Sequence, residues 1–437
     1  MFKNFRPLLI ILYLGFASGL PFLLTLSTLS AWLSEAGLSI KTIGLFGLVG
    51  LPYSLKFLWA PYKDALAVPG LTRFLGHRRA WLVITQIALA MALWTMATID
   101  PAQNLWGMAV AALAVAFLSA SQDIVIDAYR IELQREPQFM GYGAAVQSLG
   151  YRLGVIVAGA GSLYLATYFG YSQTPSAAWQ DTYRVMAGVM ALCVLGALLC
   201  PNLGALTPSL NSQSGVMRVV TMVIDPLREF WQRPQAAWIL AFVLCFKFGD
   251  ALATSLATPF YLELQFTKIE IANITKILGP VLFLAGSFVG AEMIRRIGIM
   301  RSLWVGGIVQ LLSNFFFAAL AWAGRDLTLL TVTIGVENFT SGLGAVAFVA
   351  YLSALCHVQY TATQYALLSS LMAVGRTVLT AYAGFIVAGV GWFWFFVITA
   401  FAAIPGLLIL WHLRRAGLTR IEPDRGDIRT ALDDTQG

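Results

Sequence analysis

Long apolar runs, separated by short polar segments, make up almost the whole chain. A helix needs about 20 apolar residues to cross a bilayer, so each run of that length predicts one membrane-spanning helix. Twelve such runs occur, numbered here as spans 1 to 12, at roughly 7–33, 42–62, 80–99, 104–127, 143–168, 182–200, 236–263, 271–293, 302–323, 327–352, 364–387 and 391–413. The pattern therefore predicts an all-α membrane protein.

The longest interruption of this pattern divides the chain into two halves. Residues 201–235 are rich in Pro, Ser, Asn and Gln and lie between span 6 and span 7. We therefore predict four parts: an N-terminal six-helix bundle at 1–200, a linker at 201–235, a C-terminal six-helix bundle at 236–413 and a polar tail at 414–437.

The placement of charge supports a membrane protein and predicts its orientation. The chain has 437 residues, of which 59% are hydrophobic and 11% charged, and its formal net charge is +7. This basic excess does not indicate a nucleic-acid partner, because most Lys and Arg residues lie in loops between spans. If the N-terminus is cytoplasmic, nineteen of them fall on the cytoplasmic side and four on the opposite side. The positive-inside rule then places both termini and the linker in the cytoplasm.

The two halves repeat each other at an offset of 222 to 228 residues. Matching residues occur in the same order in both halves: Pro52 and Pro280, Trp81 and Trp304, Gln86 and Gln310, Ala128-Tyr129 and Ala350-Tyr351, Arg152 and Arg376. Parallel six-span halves are typical of major facilitator transporters, in which the substrate site lies between the halves near the bilayer midplane. We therefore expect the major facilitator fold, with 12 transmembrane helices in two pseudo-symmetric six-helix bundles.

The loop between spans 2 and 3 resembles a loop motif of that superfamily, an acid followed by a Gly and paired basic residues. APYKDAL contains Asp64, and LGHRRAW contains Arg78 and Arg79, with an insertion between the two parts. The resemblance implies that these residues tie helix ends together on the cytoplasmic side and gate transport. Gly19 and Pro21, in the middle of span 1, are further gating candidates, because a proline kinks a membrane helix and frees a carbonyl. A static kink is the alternative.

Nine charged residues lie inside or just inside the spans: Lys56, Asp123, Asp127, Arg152, Lys247, Asp250, Lys276, Glu337 and Arg376. The middles of spans 3, 6, 9 and 12 carry no charge, and in the major facilitator fold these are the outer, lipid-facing helices. Charge inside a membrane protein is costly and usually faces the bundle interior or a wet cavity, so we expect these residues to line a cavity. The alternatives are snorkelling for Lys56 and Lys276, and a local ion pair between Lys247 and Asp250.

The segment SQDIVIDAYR, at the end of span 4, contains the first candidates for proton coupling. The spacing of Asp123, Asp127 and Arg130 places all three on one face of a helix. Burial favours the neutral form of a carboxyl group and a nearby cation favours the charged form, so a small change of geometry can alter protonation. We therefore rank Asp123 and Asp127 ahead of Glu337 and Asp250 as proton carriers. The alternative is a fixed Asp–Arg bond that only holds helix ends together.

Three segments together resemble a known family. SQDIVIDAYR, the WAPYKD loop and ENFTSGLGAVAFVAYLSALC at 337–356 resemble bacterial muropeptide permeases of the AmpG type, and the likeness extends from span 1 to span 12. The resemblance implies proton-driven import of GlcNAc-1,6-anhydromuramyl peptides across the inner membrane for cell-wall recycling. It also implies a link to β-lactamase induction, and so to antibiotic resistance, in some bacteria. Acetyl-CoA transporters share part of the pattern.

This cargo would be anionic through its peptide carboxylates, and it would carry sugar rings. A planar Arg guanidinium can bond both oxygens of a carboxylate, so Arg152 and Arg376 are the expected substrate-binding residues, with Lys247 as a weaker third. Three further candidates for contacts with the sugars are Gln122, Asn338 and Tyr151. Aromatic residues at helical spacing more often serve packing, which is the alternative for Tyr151.

Other functional classes have less support. The sequence contains no metalloprotease, serine-hydrolase or ATP-binding motif and no Cys/His cluster, which disfavours an enzyme or an ATP-driven pump. We expect no cofactor and no metal. A channel, a receptor, or a facilitator for another cargo such as acetyl-CoA, a sugar or a siderophore stays open. The expected partners are the muropeptide, protons and the lipid bilayer, without nucleic acid, and we expect a monomer.

Overall fold

The computed structural model describes residues 6–203, 216–380 and 382–415, without the side chains of residues 40, 216–223, 268, 272, 276, 358, 374 and 376–379. The regular structure of these residues is helical, with no strand among them. Ten stretches of the described chain are helices long and apolar enough to cross a membrane. The prediction of an all-α membrane protein is confirmed, and the count of twelve spans stays a prediction.

The first half of the chain and the linker contain helices of very different length. They are α1 (Arg6–Leu24), α2 (Ser27–Glu35), α3 (Ile40–Leu45), α4 (Leu51–Leu55), α5 (Ala60–Ala65), α6 (Leu71–Leu75), α7 (His77–Met96), α8 (Leu105–Leu133), α9 (Pro137–Ile156), α10 (Ser162–Gly170), α11 (Pro175–Leu199) and α12 (Val216–Trp231). A π-helical turn joins α9 to α10, so that span 5 continues through both.

Span 2 is not one continuous helix. It consists of α3, α4 and α5 with 3₁₀ turns at Phe46–Gly50 and Lys56–Leu58. Glycine has low helix propensity and proline cannot donate a backbone hydrogen bond, and both occur repeatedly here. The residues concerned are Gly44, Gly47, Gly50, Pro52 and Pro61.

The second half of the chain contains the remaining helices. They are α13 (Ala236–Cys245), α14 (Phe248–Ser255), α15 (Ala257–Glu263), α16 (Lys268–Ala272), α17 (Gly279–Ile297), α18 (Ile299–Ala323), α19 (Leu327–Ala354), α20 (Thr361–Thr380), α21 (Ala383–Phe401) and α22 (Ile404–Arg415). Helix α21 is interrupted at Gly391, where the backbone has φ 76° and ψ 168°.

Span 7 is divided into α13, α14 and α15 by breaks at Lys247 and Leu256. Pro259 explains the second break, because its nitrogen cannot donate to the carbonyl of Ser255, four residues earlier. The first break lies at Lys247, where φ is −99° and ψ is 6°. An ionisable residue therefore occupies the point at which this helix is interrupted.

The chain divides into two compact units that do not follow its two halves strictly. Unit 1 comprises Met1–Leu133, Gly143–Glu229 and Gln359–Ala373, and unit 2 comprises Gln134–Tyr142, Phe230–Val358 and Val374–Gly437. The start of α9 therefore belongs to unit 2, and the start of α20 belongs to unit 1. The boundaries drawn from the sequence at 200 and 235 stay predictions.

Glycines bring one pair of helices into very close contact in each unit. In unit 1, a Cβ on Gly15 or Gly19 of α1 would overlap carbonyl oxygens of α9, and a Cβ on Gly150 or Gly154 of α9 would overlap carbonyl oxygens of α1. In unit 2, the same relation joins Gly286 of α17 to α19 and Gly342 of α19 to α17. Backbones can approach this closely only where the side chains are absent.

Candidate functional site

Asp127, in the interior of unit 1, has three polar partners. The ammonium group of Lys56 lies 3.5 Å from its carboxylate, and the guanidinium of Arg130 lies 4.0 Å away. The side-chain amide of Gln147 donates a hydrogen bond to it at 3.1 Å. The common helix face predicted for Asp127 and Arg130 is present in the continuous helix α8. Lys56, for which snorkelling was the alternative, therefore forms an ion pair within unit 1.

Asp123 lies one turn earlier on α8 and has a different environment. The hydroxyl of Ser18 in α1 donates to its carboxylate at 2.6 Å. The neighbouring Gln122 is fully buried and donates to the carbonyl of Ala17 at 2.7 Å. Both residues therefore connect α8 to α1. The side-chain oxygen of Gln122 has no hydrogen-bond partner among the described residues.

The close contact of α1 and α9 positions Tyr151 and Arg152. Gly19 meets the backbone of Tyr151, and α1 continues as a helix through Gly19 and Pro21. The ring of Tyr151 lies 6.1 Å from the ring of Phe22, in a tilted arrangement. Arg152 is half-buried inside span 5. The structure therefore gives Gly19 a packing role, and its gating role stays a prediction, as does that of Pro21.

In unit 2, Lys247 joins three helices through its ammonium group. It forms an ion pair with Asp250 at 3.3 Å and donates to the side-chain oxygen of Gln310 at 3.1 Å. It also lies 3.4 Å from the carbonyl and from the hydroxyl oxygen of Ser341. The local Lys247–Asp250 pair that was one of two alternatives is present, and it is part of a larger polar cluster.

Glu337 lies in the same region of unit 2, on α19. Its carboxylate accepts a hydrogen bond of 2.7 Å from the amide of Asn338, which also donates to the carbonyl of Ile334 at 2.9 Å. Glu337 is buried and interacts electrostatically with both Asp250 and Lys247. Two acids and one lysine therefore share this interior. The side chains of Arg376 and Lys276 lie outside the described part of the chain.

The loop acid of unit 1 is buried and holds two elements together. The carboxylate of Asp64 accepts hydrogen bonds from the backbone of Ala362 at 3.2 Å and Thr363 at 2.8 Å, and from the Thr363 hydroxyl at 2.7 Å. Arg78 lies 2.7 Å from Asp64 and 2.7 Å from Glu132 of α8. Asp64 thus binds the first turn of α20, where an acid also stabilises the helix dipole.

The neighbouring basic residues of this loop have other partners. Arg79 donates to the carbonyl of Leu198 at 2.6 Å and so connects α7 to the end of α11. Lys63 is buried, its ammonium lies 3.6 Å from the centre of the Trp81 ring, and burial lowers the pKa of its side chain to about 8. Arg78 and Arg79, adjacent in sequence, therefore fasten the loop in two separate places.

The charged residues at the end of span 8, which hold the same place in the second half of the chain, are more exposed. Glu292, near the end of α17, bonds with Arg295 at 2.5 Å and with Arg296 at 2.6 Å. The hydroxyl of Tyr142, in the first turns of α9, donates to Glu292 at 2.5 Å. Each loop acid therefore contacts the start of a helix that comes from the other half of the chain.

Several partners could not be identified from the sequence. Ser18, Gln147, Glu132 and Thr363 contact predicted site residues from other elements of the chain, and Tyr142 contacts Glu292. Among the partners, only Gln310 was marked in the sequence, as one member of the internal repeat. Within the described residues, no group of three or more His, Cys, Asp or Glu side chains could hold a metal ion.

Comparison with known proteins starts from the fold. The structure matches that of FucP, a major facilitator transporter crystallised in the outward conformation, with a TM-score of 0.69 over 93% of this chain and 98% of that one, at 14% identity. The major facilitator fold is thereby confirmed. The sequence profile described as acetyl-coenzyme A transporter 1 matches residues 7–169.

Sequence comparison extends over nearly the whole chain. A protein of Rickettsia felis named putative transporter AmpG 4 is 37% identical over 416 residues, which cover 95% of this chain and 98% of that protein. The chain belongs to the AmpG family of transporters. A protein of Escherichia coli K12 named anhydromuropeptide permease is 39% identical over 402 residues, which cover 92% of this chain and 78% of that longer protein.

Proposed function

We propose that this AmpG-family chain imports anhydromuropeptides across the bacterial inner membrane by proton symport, as a step in cell-wall recycling. The observation that carries the proposal is the 39% identity, over 92% of the chain, with the protein named anhydromuropeptide permease. The excess of basic residues in one set of loops supports cytoplasmic termini. We propose that the chain works as a monomer and catalyses no covalent chemistry.

Arg152 is our principal substrate-binding residue in the described chain. It is half-buried within a membrane span, where a cation is costly unless it serves a partner. We propose that it binds a peptide carboxylate, that Arg376 does so from the matching place in the other half, and that Tyr151 contributes to the sugar site. Lys247, Gln122 and Asn338 are further, weaker candidates, and each also bonds to a protein group.

The loop clusters are proposed as cytoplasmic gates. Asp64 with Arg78, and Glu292 with Arg295, each hold the start of a helix from the other half of the chain. Breaking these bonds would free α20 and α9 at their first turns. Arg79, Gly19 and Pro21 support the same proposal as fastening and packing elements.

Proton coupling is proposed for carboxylates of the two interior clusters. Asp123 and Asp127 lie in unit 1, and Asp250 and Glu337 lie in unit 2. Asp127 is held by two cations, whereas the described hydrogen bond of Asp123 comes from a neutral hydroxyl. A carboxylate without a directly bonded cation is easier to protonate, so Asp123 is the better carrier of the two.

Uptake by proteoliposomes tests the function. Labelled anhydromuropeptide should accumulate when a pH gradient, acidic outside, is imposed, and excess unlabelled muropeptide should compete. Arg152→Ala should abolish most uptake, and Arg152→Lys should restore only part of it because the planar fork is lost. Arg184→Ala is the matched control, since the Arg184 side chain is 40% exposed and pairs with Asp181. Uptake by wild type that is indifferent to muropeptide would reject the proposal.

Transport of acetyl-CoA is the second candidate, and the profile match over residues 7–169 favours it. Both cargoes are anionic, so interior arginines do not distinguish them. A competition experiment distinguishes the two cargoes. Excess acetyl-CoA should leave muropeptide uptake unchanged if the first proposal is correct. Strong inhibition by acetyl-CoA together with its own pH-driven accumulation would replace muropeptide as the cargo.

The roles of the acids can be distinguished by comparing pH-driven accumulation of cargo with its exchange across the membrane. Asp123→Asn should abolish pH-driven accumulation and leave exchange of internal for external cargo partly intact, because a neutral carrier cannot release a proton. Asp127→Asn should reduce both, because it leaves Lys56 and Arg130 without their shared partner. Full accumulation in both variants would exclude the acids of unit 1 and leave proton coupling to Asp250 and Glu337 of unit 2.

A further inference from the structure

A set of buried polar atoms in unit 2 has no hydrogen-bond partner among the described residues. They are Oδ1 of Asp250, Nε2 of Gln310, and both Nδ2 and Oδ1 of Asn314. Asn314 is 1% exposed and Gln310 is 4% exposed. A buried polar atom without a partner costs about 1–3 kcal/mol. Four such atoms in one region therefore indicate bound groups that complete their hydrogen bonding.

Helix geometry places these atoms close together. Gln310 and Asn314 are four residues apart on α18 and so lie on one face, about 6 Å apart along the axis. Asp250 follows Lys247 on α14, about 4.5 Å along its axis. The 3.1 Å bond between Lys247 and Gln310 brings the two helices into register.

The two helices run in the same direction, because they belong to spans 7 and 9. From the Lys247–Gln310 contact both helices therefore continue in the same direction, and α14 packs against α18. Asp250 and Asn314 lie in the next turn of each helix. Asp250, Gln310 and Asn314 therefore belong to the same part of the α14–α18 interface.

We propose that Asp250, Gln310 and Asn314 bind a small cluster of water molecules inside unit 2, and that this water delivers protons to Asp250. A buried water makes about three hydrogen bonds and needs two to four polar partners. One carboxylate oxygen and two side-chain amides meet that need. The inference deepens the proposed symport function and rests on it for the transport role.

The proton step is a simple transfer. A hydronium ion in the cluster gives one proton to Oδ1 of Asp250; one O–H bond breaks on the donor, one forms on the carboxyl group, and neutral water remains. The Lys247–Asp250 ion pair then loses its negative member. Lys247 keeps its bonds to Gln310 and Ser341, so the lysine remains in place while its charge partner changes.

Other groups around Asp250 bear on this step. Lys247 faces it from its own element, and Ser341 of α19 lies 3.4 Å from its Oδ2. Glu337 of α19 interacts with it electrostatically and shares a side-chain hydrogen bond with it. Helix α21, which also packs against α14, has no titratable side chain in its sequence. Among the described residues, two acids therefore share a single lysine, so protonating one acid removes the excess negative charge.

Asn314→Leu is the decisive variant, because leucine has a similar volume and cannot bond water. We expect pH-driven accumulation of muropeptide to fall at least about tenfold, while exchange changes less than about twofold. Asn314→Thr should keep much of the accumulation because its hydroxyl can hold water. Ser313→Ala is the control, since Ser313 is equally buried on α18 but bonds the carbonyl of Gln310.

A second readout needs no cargo. Infrared difference spectra of purified protein should show a carboxyl C=O band that responds to pH, that Asp250→Asn removes, and that Asn314→Leu alters. Normal accumulation in Asn314→Leu would overturn the proposal, as would equal loss of accumulation and exchange. If wild type fails to transport muropeptide, the proposed function fails, whereas the infrared result still decides whether water links Asn314 to Asp250.

Discussion

The loops after spans 2 and 8 perform the same task with opposite degrees of burial. In unit 1, Asp64, Arg78 and Glu132 are buried; Arg78 bonds both acids, and Asp64 also bonds α20. In unit 2, the side chains of Glu292, Arg295 and Arg296 are 26%, 34% and 70% exposed. The two loops therefore share a pattern of charges. Only in the first loop are these charges buried, so that each carboxylate depends on Arg78 for charge compensation.

The matched glutamines of spans 3 and 9 differ in a similar way. Gln86 bonds the neutral hydroxyl of Tyr13 at 3.0 and 3.2 Å. Gln310 instead accepts from the ammonium of Lys247, and its Nε2 has no partner among the described residues. The duplicated scaffold thus kept the amide and changed its partner. The two halves therefore share the positions of their helices but not the polar contacts of matching residues.

The largest effect expected from this comparison is that of Arg78→Ala. Removing the cation leaves two buried carboxylates, Asp64 and Glu132, unpaired, which should lower the free energy of unfolding by about 3–5 kcal/mol. Titration of the detergent-solubilised protein with denaturing surfactant measures this. Arg295→Ala is the matched variant in unit 2, and it should change stability little because that cluster is solvated. Equal losses in the two variants would show that burial is not the difference between the loops.

The close helix pairs give a second, smaller test. Gly19→Ala in unit 1 and Gly286→Ala in unit 2 should each destabilise by about 1–3 kcal/mol, because the added methyl overlaps a backbone carbonyl. Gly188→Ala is the control, since a Cβ there meets nothing within 4 Å. The same unfolding assay applies. A neutral result for Gly286→Ala alone would mean that only unit 1 depends on its glycine contact.

The smallest effect concerns pH and the buried lysine of the first loop. The pKa of Lys63 is lowered to about 8 in the folded protein from an ordinary value of 10.5. Between those values the unfolded chain keeps the proton and the folded chain loses it, so stability rises as pH increases from 8 to 10.5. We expect a rise on the order of 1 kcal/mol, because the contact with Trp81 offsets part of the burial cost.

This pH dependence has a direct control. Lys63→Met should remove the rise, and Lys41→Met, at an exposed position, should retain it. Unfolding measured across the pH range compares the two variants with wild type. An unchanged slope in Lys63→Met would assign the pH dependence to another group.

Sequence patterns were sufficient for the class of fold and for selecting candidate site residues, whose roles stay predictions. Apolar runs of membrane-spanning length, with the internal repeat, led to the major facilitator fold, which the comparison with FucP confirms. Charges inside apolar spans identified Asp127, Lys56, Lys247 and Asp250, because their cost makes them rare. Span 2 was predicted as one helix, since hydropathy counts apolar residues and does not register the effect of repeated Gly and Pro on helix continuity.

The sequence by itself determined which residues are apolar enough to remain in the membrane and which charges require partners there. Only the tertiary structure decided which residues those partners are. Ser18 meets Asp123, Thr363 meets Asp64 and Gln310 meets Lys247 across separations of 105, 299 and 63 residues. Such pairs arise from helix packing, in which glycine contacts and helix breaks set the register. Hydrogen bonds depend on that register to within fractions of an ångström, and periodicity along the chain does not contain it.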